Sequence, residues 1–448
     1  MSTGPIDIRD WCQAHGITEV EALMPDMTGV ARGKIMPTER YCEDLGMRLP
    51  EALVLQTISG DYPVDWRAVS PNDGDMVMKG DPQSIRLVPW AAEPTAQIIH
   101  DAYFANGEPV EATPRHVLRR VLDLYTERGW KPVLAPELEF YLVKPNTDSD
   151  YPLEAPVGRS GRAEVGRQSY GIDALNEFDP LVEDVYDYCE AQCIDLDTLI
   201  HESGAAQMEM NLNHGDPLEL ADQAFLFKRT VREAAFRHQM YATFMAKPMQ
   251  NEPGSALHLH QSVVDARTGE NVFATANGEL TPLFMAHIAG LQKYLTAAMA
   301  LLAPNVNSYR RITRFNAAPI NLEWGYDNRT TSLRVPVSDA QGTRVENRVS
   351  GADANPYLAI AASLACGYLG MVQGLEPSAA LETSAYELPF QLPRSLEEAL
   401  GELGACEALI DVLGPRFVMA YNSVKQTEVD AFKHVISSWE REYLLLAV

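Results

Sequence analysis

Residues 133–143 read VLAPELEFYLV, and residues 201–214 read HESGAAQMEMNLNH. On an extended strand, residues i and i+2 point the same way. In the first stretch Glu137 and Glu139 share one face, and Leu138 and Phe140 the other. In the second, Glu202 and a Gly/Ala turn precede a strand. There Gln207, Glu209, Asn211 and Asn213 form a polar stripe, backed by Met208, Met210 and Leu212. Carboxylates side by side on an apolar strand repel, and burying them without a cation is costly. Taken singly, each stretch also fits a solvated strand edge.

The same pattern recurs downstream. GSALHLHQSV (254–263) places His258 and His260 on one face, with Leu257 and Leu259 opposite. NSYRRITRF (307–315), DNRTTSLRVP (327–336) and TRVENRVS (343–350) add Arg310, Arg311, Arg329, Arg334, Arg344 and Arg348. Arg329 and Arg334 differ in strand parity, whereas Arg344, Glu346 and Arg348 alternate on one face. Guanidinium groups bind carboxylate and phosphate in bidentate fashion, so arginines beside carboxylates point to an anionic ligand. An internal ion-pair network is the competing reading. Together these segments offer five glutamates, one or two histidines and several arginines on separate strands. Hard oxygen donors with one imidazole favour Mg²⁺ or Mn²⁺, two or more per site, over zinc. Metal ions plus arginines suit phosphoryl transfer, in which developing negative charge must be surrounded by cations. No GxxxxGK[ST] loop is present, so nucleotide would bind another way.

Composition agrees with a soluble enzyme. The chain has 448 residues, 46% hydrophobic and 22% charged, with a formal charge of −26. That charge argues against nucleic acid or an anionic membrane as partner. Six cysteines without a CxxC pair read as reduced thiols. MSTGPIDIRDW has neither a basic stretch nor an apolar run of a signal segment. The expected compartment is the cytoplasm. The uncharged run between Asp353 and Glu376 reads as a buried core helix, and the run between Lys293 and Arg310 as its packing neighbour.

The expected fold class is α+β. Residues 1–107 read as a small N-terminal unit. A helix at DIRDWCQAHG is followed by two strands joined by a turn at Asp26–Met27–Thr28–Gly29, then by DGDMVMKGD and SIRLVPW. FANGEPVEATP (104–114) reads as a linker. Residues 108–448 read as one larger unit, with helices over 114–129, 221–241, 395–413 and 426–446, and a surface insertion or hairpin at 144–170.

In this order PELEF, HESGAAQME, GSALHLH, NSYRR, NRTTSLRVP and RVENRVSGADANPYL resemble the glutamine synthetase superfamily over essentially the whole chain. The resemblance implies an N-terminal β-grasp-like domain and a catalytic domain built on a curved antiparallel sheet. It implies homo-oligomeric rings, hexamer or dodecamer, with sites at subunit interfaces. The implied reaction forms γ-glutamyl phosphate from ATP and L-glutamate, and an amine nitrogen then attacks it. By motif, Glu139, Glu202 and Glu209 would hold one metal, and Glu137, His258 and Glu346 the other. Arg329 and Arg334 would contact ATP phosphates and the transferring phosphoryl group. Arg311 and Arg348 would hold glutamate carboxylates, with Gly254 near the amino end. His260 and Ser262 would lie toward the nucleotide.

Two departures stand out. Glutamine synthetases carry a flap glutamate between the NSYRR-like and NRT-like motifs, where this chain has Ala317 within Asn316–Ala317–Ala318. Their ammonia-binding aspartate lies in an FDGSS-like loop, where this chain reads QTISGDYPVDW (56–66) and Asp61 does not align cleanly. ALMPDMTGVARGKIMP and Trp324–Gly325 look more like the γ-glutamyl-amine branch, which includes glutamylputrescine and glutamylpolyamine synthetases. The expected activity is therefore a glutamate–amine ligase. A glutamine synthetase and a non-catalytic assembly are the alternatives. At a lysine-like pKa of about 10.4, roughly one amine in 10³ is free base at neutral pH, a cost of about 4 kcal/mol unless a base helps. Glu202 is the candidate base, Tyr170 a candidate wall of the amine pocket, and Trp324, Tyr326 and Tyr62 candidate apolar walls. Tyr386, in AYELPFQLP, occupies the place of a regulatory adenylylated tyrosine.

Overall fold

The computed structural model describes residues 6–165, 167–314 and 317–448. Strands between residues 19 and 103 form a six-stranded sheet. Glu19–Pro25 pairs antiparallel with Ala31–Pro37, as the Asp26–Gly29 turn predicts, and parallel with Thr95–Tyr103. The sheet continues through Asp75–Gly80 to Gly46–Pro50, and Arg86–Leu87 adds a short edge. SIRLVPW thus supplies only two strand residues.

The second sheet has eight strands, from residues 130 to 347. Trp130–Val143 lies at its middle, with Leu257–Asp265 and then Tyr241–Thr243 on one edge and Gln207–Leu212 on the other. Leu196–His201 extends it one way, and Val345–Asn347, Leu333–Val335 and Trp324–Tyr326 the other. The expected antiparallel pattern holds except that Trp324–Tyr326 runs parallel to Leu333–Val335.

The apolar face of this sheet packs on helices. Leu134, Leu138, Phe140 and Leu142 are buried, and Pro217–Arg237 lies beside their strand. Pro356–Gln373 is the core helix expected from the uncharged run. It is long and apolar enough to cross a membrane, but 89% of it is buried here. Its neighbour is Pro282–Leu302. Small residues make their contact: a Cβ on Gly290 would lie 2.3 Å from Cys366 O and 2.6 Å from Gly370 Cα.

Other boundaries differ. The helix expected over 114–129 stops at Thr126, and the one expected from 221 starts at Pro217, behind an Asp216 cap. The span 395–413 is two helices, Leu396–Ala405 and Glu407–Leu413, because Cys406 (φ −93°, ψ 85°) leaves the helical region. The helix expected over 426–446 is Pro415–Lys433 followed by Ser438–Leu444. Proline at a first helical position is favourable, and a Ser437/Glu440 capping box starts a new helix.

Candidate active site

Sheet register assembles the polar residues. Glu137 stands opposite His258 on one side and Asn211 on the other, and Glu139 stands opposite Glu209. Glu346 stands between His260 and Arg334. The alternation read from the sequence therefore places these side chains on one continuous surface.

Three groupings of potential ligand atoms result, each within 4.8 Å: Glu139, Glu202 and Glu209; Glu137, His260 and Glu346; Glu137, Glu209 and His258. The first is the trio expected for one metal. In the second, His260 takes the position expected of His258. His258 stays near, with Nδ1 3.1 Å from Glu137 Oε2 and 3.6 Å from Glu346 Oε1. His260 Nε2 lies 2.7 Å from Glu137 Oε1.

Cations answer some of these carboxylates and not others. Arg334 and Arg348 donate to Glu346 at 2.9 and 2.5 Å. Burial alone would raise Glu346, but Arg348 and the two histidines outweigh it and bring it down to about 2. Burial likewise opposes Glu137, whose bonds to His258 and His260 leave it well below the usual carboxylate range. Glu139, Glu202 and Glu209 make no ion pair among the described residues. Burial pushes Glu209 up to about 9, reinforced by the charges of Glu137, Glu139 and Glu202. Glu139 rises to about 7 for the same two reasons, and Glu202 is also raised, chiefly by burial. A buried all-oxygen trio with this much mutual repulsion suits a hard divalent cation.

The trio faces a cavity of about 550 Å³ that also holds Gly254, His258, Arg311, Arg329, Arg334, Arg348, Ala317, Tyr170 and Tyr386. Arg311 is not on a strand. It follows the short turn Val306–Arg310, and its guanidinium is fixed by the carbonyls of Val349 (2.8 Å) and Arg348 (3.0 Å). Arg310 is exposed, away from the cavity. Arg329 lies in the turn between two strands, which removes the parity conflict with Arg334. Its side chain has no partner among the described residues, and the Nε of Arg348 is buried without an acceptor. Both are available to an anion. Gly254 is required for space: a Cβ there would lie 2.5 Å from Arg311 Cγ and 2.7 Å from Ala246 O.

A second cavity of about 620 Å³ shares Glu137 and Asn211 with the first and is lined by His260, Ser262, Arg344 and Asn213. Ser262 and His260 thus face a different space from Arg311 and Gly254.

Several expectations shift. Trp324 is buried, with its indole N–H on Ser378 O, and neither Tyr326 nor Tyr62 lines the first cavity; Tyr170 and Tyr386 do. Asp61 bonds Ser59 in its own exposed loop and does not line the cavity. Asn316 lies outside the described residues. Gln207, a residue of the polar stripe to which its type alone assigns no role, orients a ligand. Its Nε2 donates to Glu139 Oε2 (3.1 Å) and to Gly254 O (3.1 Å). The amide of Ala256 donates to the same Glu139 oxygen at 2.9 Å, a main-chain contact that no residue type announces.

Comparison with known proteins agrees with this geometry. The family model "Glutamine synthetase, catalytic domain" matches residues 111–444. The chain is 37% identical over 435 residues to gamma-glutamylputrescine synthetase PuuA of Escherichia coli (strain K12), covering 95% of this chain and 91% of that one. It is 33% identical over 451 residues to a glutamate–isopropylamine ligase of a Pseudomonas species, covering 97% and 96%. It is also 33% identical to a glutamine synthetase of Pyrococcus horikoshii, covering 90% and 87%. A solved structure described as GmaS without ligand superposes with a TM-score of 0.84 at 29% identity, over 98% of this chain and 100% of that one.

Proposed function

The chain belongs to the glutamine synthetase family, and we propose that it joins the γ-carboxylate of L-glutamate to a primary organic amine, converting ATP to ADP and phosphate. One observation carries this reading. A single cavity sets three uncompensated glutamates against Arg311, Arg329, Arg334 and Arg348, with Ala317 where the resemblance puts a flap carboxylate. The names of the E. coli and Pseudomonas relatives support an amine acceptor.

In the first step a γ-carboxylate oxygen of glutamate attacks the γ-phosphorus, and the bond to ADP breaks. In the second the amine nitrogen attacks the acyl carbon, phosphate leaves with its oxygen, and the amine gives up a proton. Both steps bring anions together, and fixed cations lower that barrier. Arg311 and Arg348 hold the glutamate carboxylates, with Gly254 leaving room at the amino end. Arg329 and Arg334 hold the transferring phosphoryl group. His260 and Ser262 face ATP from the second cavity. Glu139, Glu202 and Glu209 hold one Mg²⁺ or Mn²⁺, and Glu137 and Glu346 with the paired histidines hold another. Bound there, such ions supply neutralisation of charge on the phosphoryl oxygens. Glu202, which lines the cavity together with Ser203 and Tyr170, takes the amine proton. Glu202→Gln is then expected to lose activity through both the metal it helps to hold and the proton it takes, and raising the pH should restore only the second part, about tenfold per pH unit as free amine increases.

The chain is further read as a soluble cytoplasmic enzyme divided at residues 107 and 108, since its N-terminal sheet ends at Tyr103. We place it in a homo-oligomeric ring. Trp439 (60% exposed), Leu446 (96%) and Val448 (95%) support this, because an apolar C-terminal run is costly to leave in water.

Phosphate release with ATP, Mg²⁺ and glutamate tests the function across ammonium, putrescine, spermidine, isopropylamine and phenethylamine. Strong stimulation by an organic amine over an ammonium background is expected. Preference for ammonium would mean a glutamine synthetase, and bound metal without turnover a non-catalytic assembly.

A further inference from the structure

Besides Tyr170, which lines the cavity, the insertion 144–170 sends one side chain under the turn that carries Glu202. Glu164 Oε2 accepts from the amide of Ala206 at 2.8 Å and lies 3.1 Å from His201 Nε2. His201 is fully buried, and its Nδ1 lies 2.7 Å from the carbonyl of Glu202. Six residues beyond Glu164, the amide of Tyr170 donates to His201 O at 2.8 Å.

One carboxylate oxygen therefore holds both ends of the turn between His201 and Gln207. That turn needs holding. Ala206 sits at φ 56°, a left-handed conformation that a residue with a Cβ disfavours. The turn begins with Glu202 and ends at Gln207, whose side chain orients Glu139. If Ala206 relaxed to an extended conformation, both groups would turn away from Glu209.

We propose that Glu164 is a positioning residue for the carboxylate trio. Through His201 and Ala206 it fixes the turn that aims Glu202, and through Gln207 it aims Glu139. This rests on reading Glu139, Glu202 and Glu209 as a cation site. Groups that orient metal ligands typically cost 10–100-fold in metal affinity when removed.

The test is Mn²⁺ titration of the full chain without ATP, with free Mn²⁺ followed by its EPR signal. Glu164→Ala is expected to weaken Mn²⁺ binding about 10–100-fold. Glu164→Gln, whose amide oxygen can still accept from both Ala206 and His201, is expected to keep more Mn²⁺ affinity than Glu164→Ala, although its NH2 replaces a buried oxygen that has no partner. Glu164→Asp, too short to reach both, is a second loss variant should Glu164→Ala fail to fold. A merely structural clasp would lower the melting temperature and leave the Mn²⁺ affinity of the folded variants unchanged, which would overturn the proposal alone. Wild type that binds no Mn²⁺ would overturn the cation reading, and the proposal with it.

Discussion

Arg115 and Glu209 are both buried among carboxylates, yet their surroundings differ in one respect. Arg115 donates to Asp101 at 2.6 Å, to Asp81 at 2.9 Å and to both oxygens of Asp222, and Tyr357 donates to Asp222 as well. Burial opposes its charge, and the aspartates outweigh burial, so its pKa is raised further. Glu209 faces Glu137, Glu139 and Glu202, and no cation is bonded to it among the described residues. Hydrogen-bonded, internally answered charge joins the N-terminal sheet (Asp101) and the turn that follows one of its strands (Asp81) to the helices that start at Pro114 and Pro217. Unanswered charge faces a cavity. Buried charge is thus informative about function when its compensation is missing from the chain.

That contrast can be broken or sharpened by measurement. The largest expected effect is on stability. Arg115→Ala leaves Asp222 without a cation and Asp81 and Asp101 with only the partly exposed Arg119, and losing one side of a buried pair costs about 3–5 kcal/mol. Urea denaturation should show this, and a loss below about 1 kcal/mol would put the cluster in the surface-pair class. Next, Glu209→Gln should lower turnover roughly 10³-fold, about 4 kcal/mol of barrier. The same variant should melt no lower than wild type in chelator, because Glu209, pushed up to about 9 by burial, is already protonated there at neutral pH and glutamine resembles that neutral form. A large fall in melting temperature would mean that Glu209 is structural.

A smaller effect should appear in the pH dependence of metal stabilisation. Glu139 and Glu209 are raised in the folded state to about 7 and 9, above an ordinary value of 4.5. Between pH 4.5 and those values the folded chain binds more protons than the unfolded chain. Stability without metal therefore falls as pH rises through that window. Metal needs the deprotonated ligands, so its affinity rises with pH. The Mn²⁺-induced rise in melting temperature should be greater at pH 8.5 than at pH 6. An equal or smaller rise at pH 8.5 would argue against metal binding by the trio. The smallest effect is the control within the insertion. Lys144 and Glu154 pair in the open (42% and 68% exposed), and Lys144→Ala should leave the melting temperature and Mn²⁺ affinity unchanged.

Much of this was legible in the chain where chemistry rides on strands. Alternation in PELEF, QMEMNLN and LHLHQ puts residues on a face without knowledge of the neighbours, and register then brings Glu137, Glu139, Glu209 and His258 together. Residues on turns were harder. Arg329 and Arg311 are placed by main-chain conformation between elements, so the parity argument could not reach them. Helix ends failed where a cap outranked the apolar pattern, as at Pro415 and Ser437. Glu164 was invisible, because 37 residues separate it from His201 and nothing about its own neighbours marks it. Of the candidate aromatic walls, Tyr170 lines the cavity, whereas packing buries Trp324 and leaves Tyr326 and Tyr62 outside it.

The central claim is that a γ-glutamyl phosphate forms and that an amine consumes it. Glutamate labelled with ¹⁸O in the γ-carboxylate tests it directly, by mass analysis of the phosphate released with ATP and an organic amine. One labelled oxygen in phosphate is expected for each γ-glutamylamide formed. Unlabelled phosphate accompanying amide formation would contradict it.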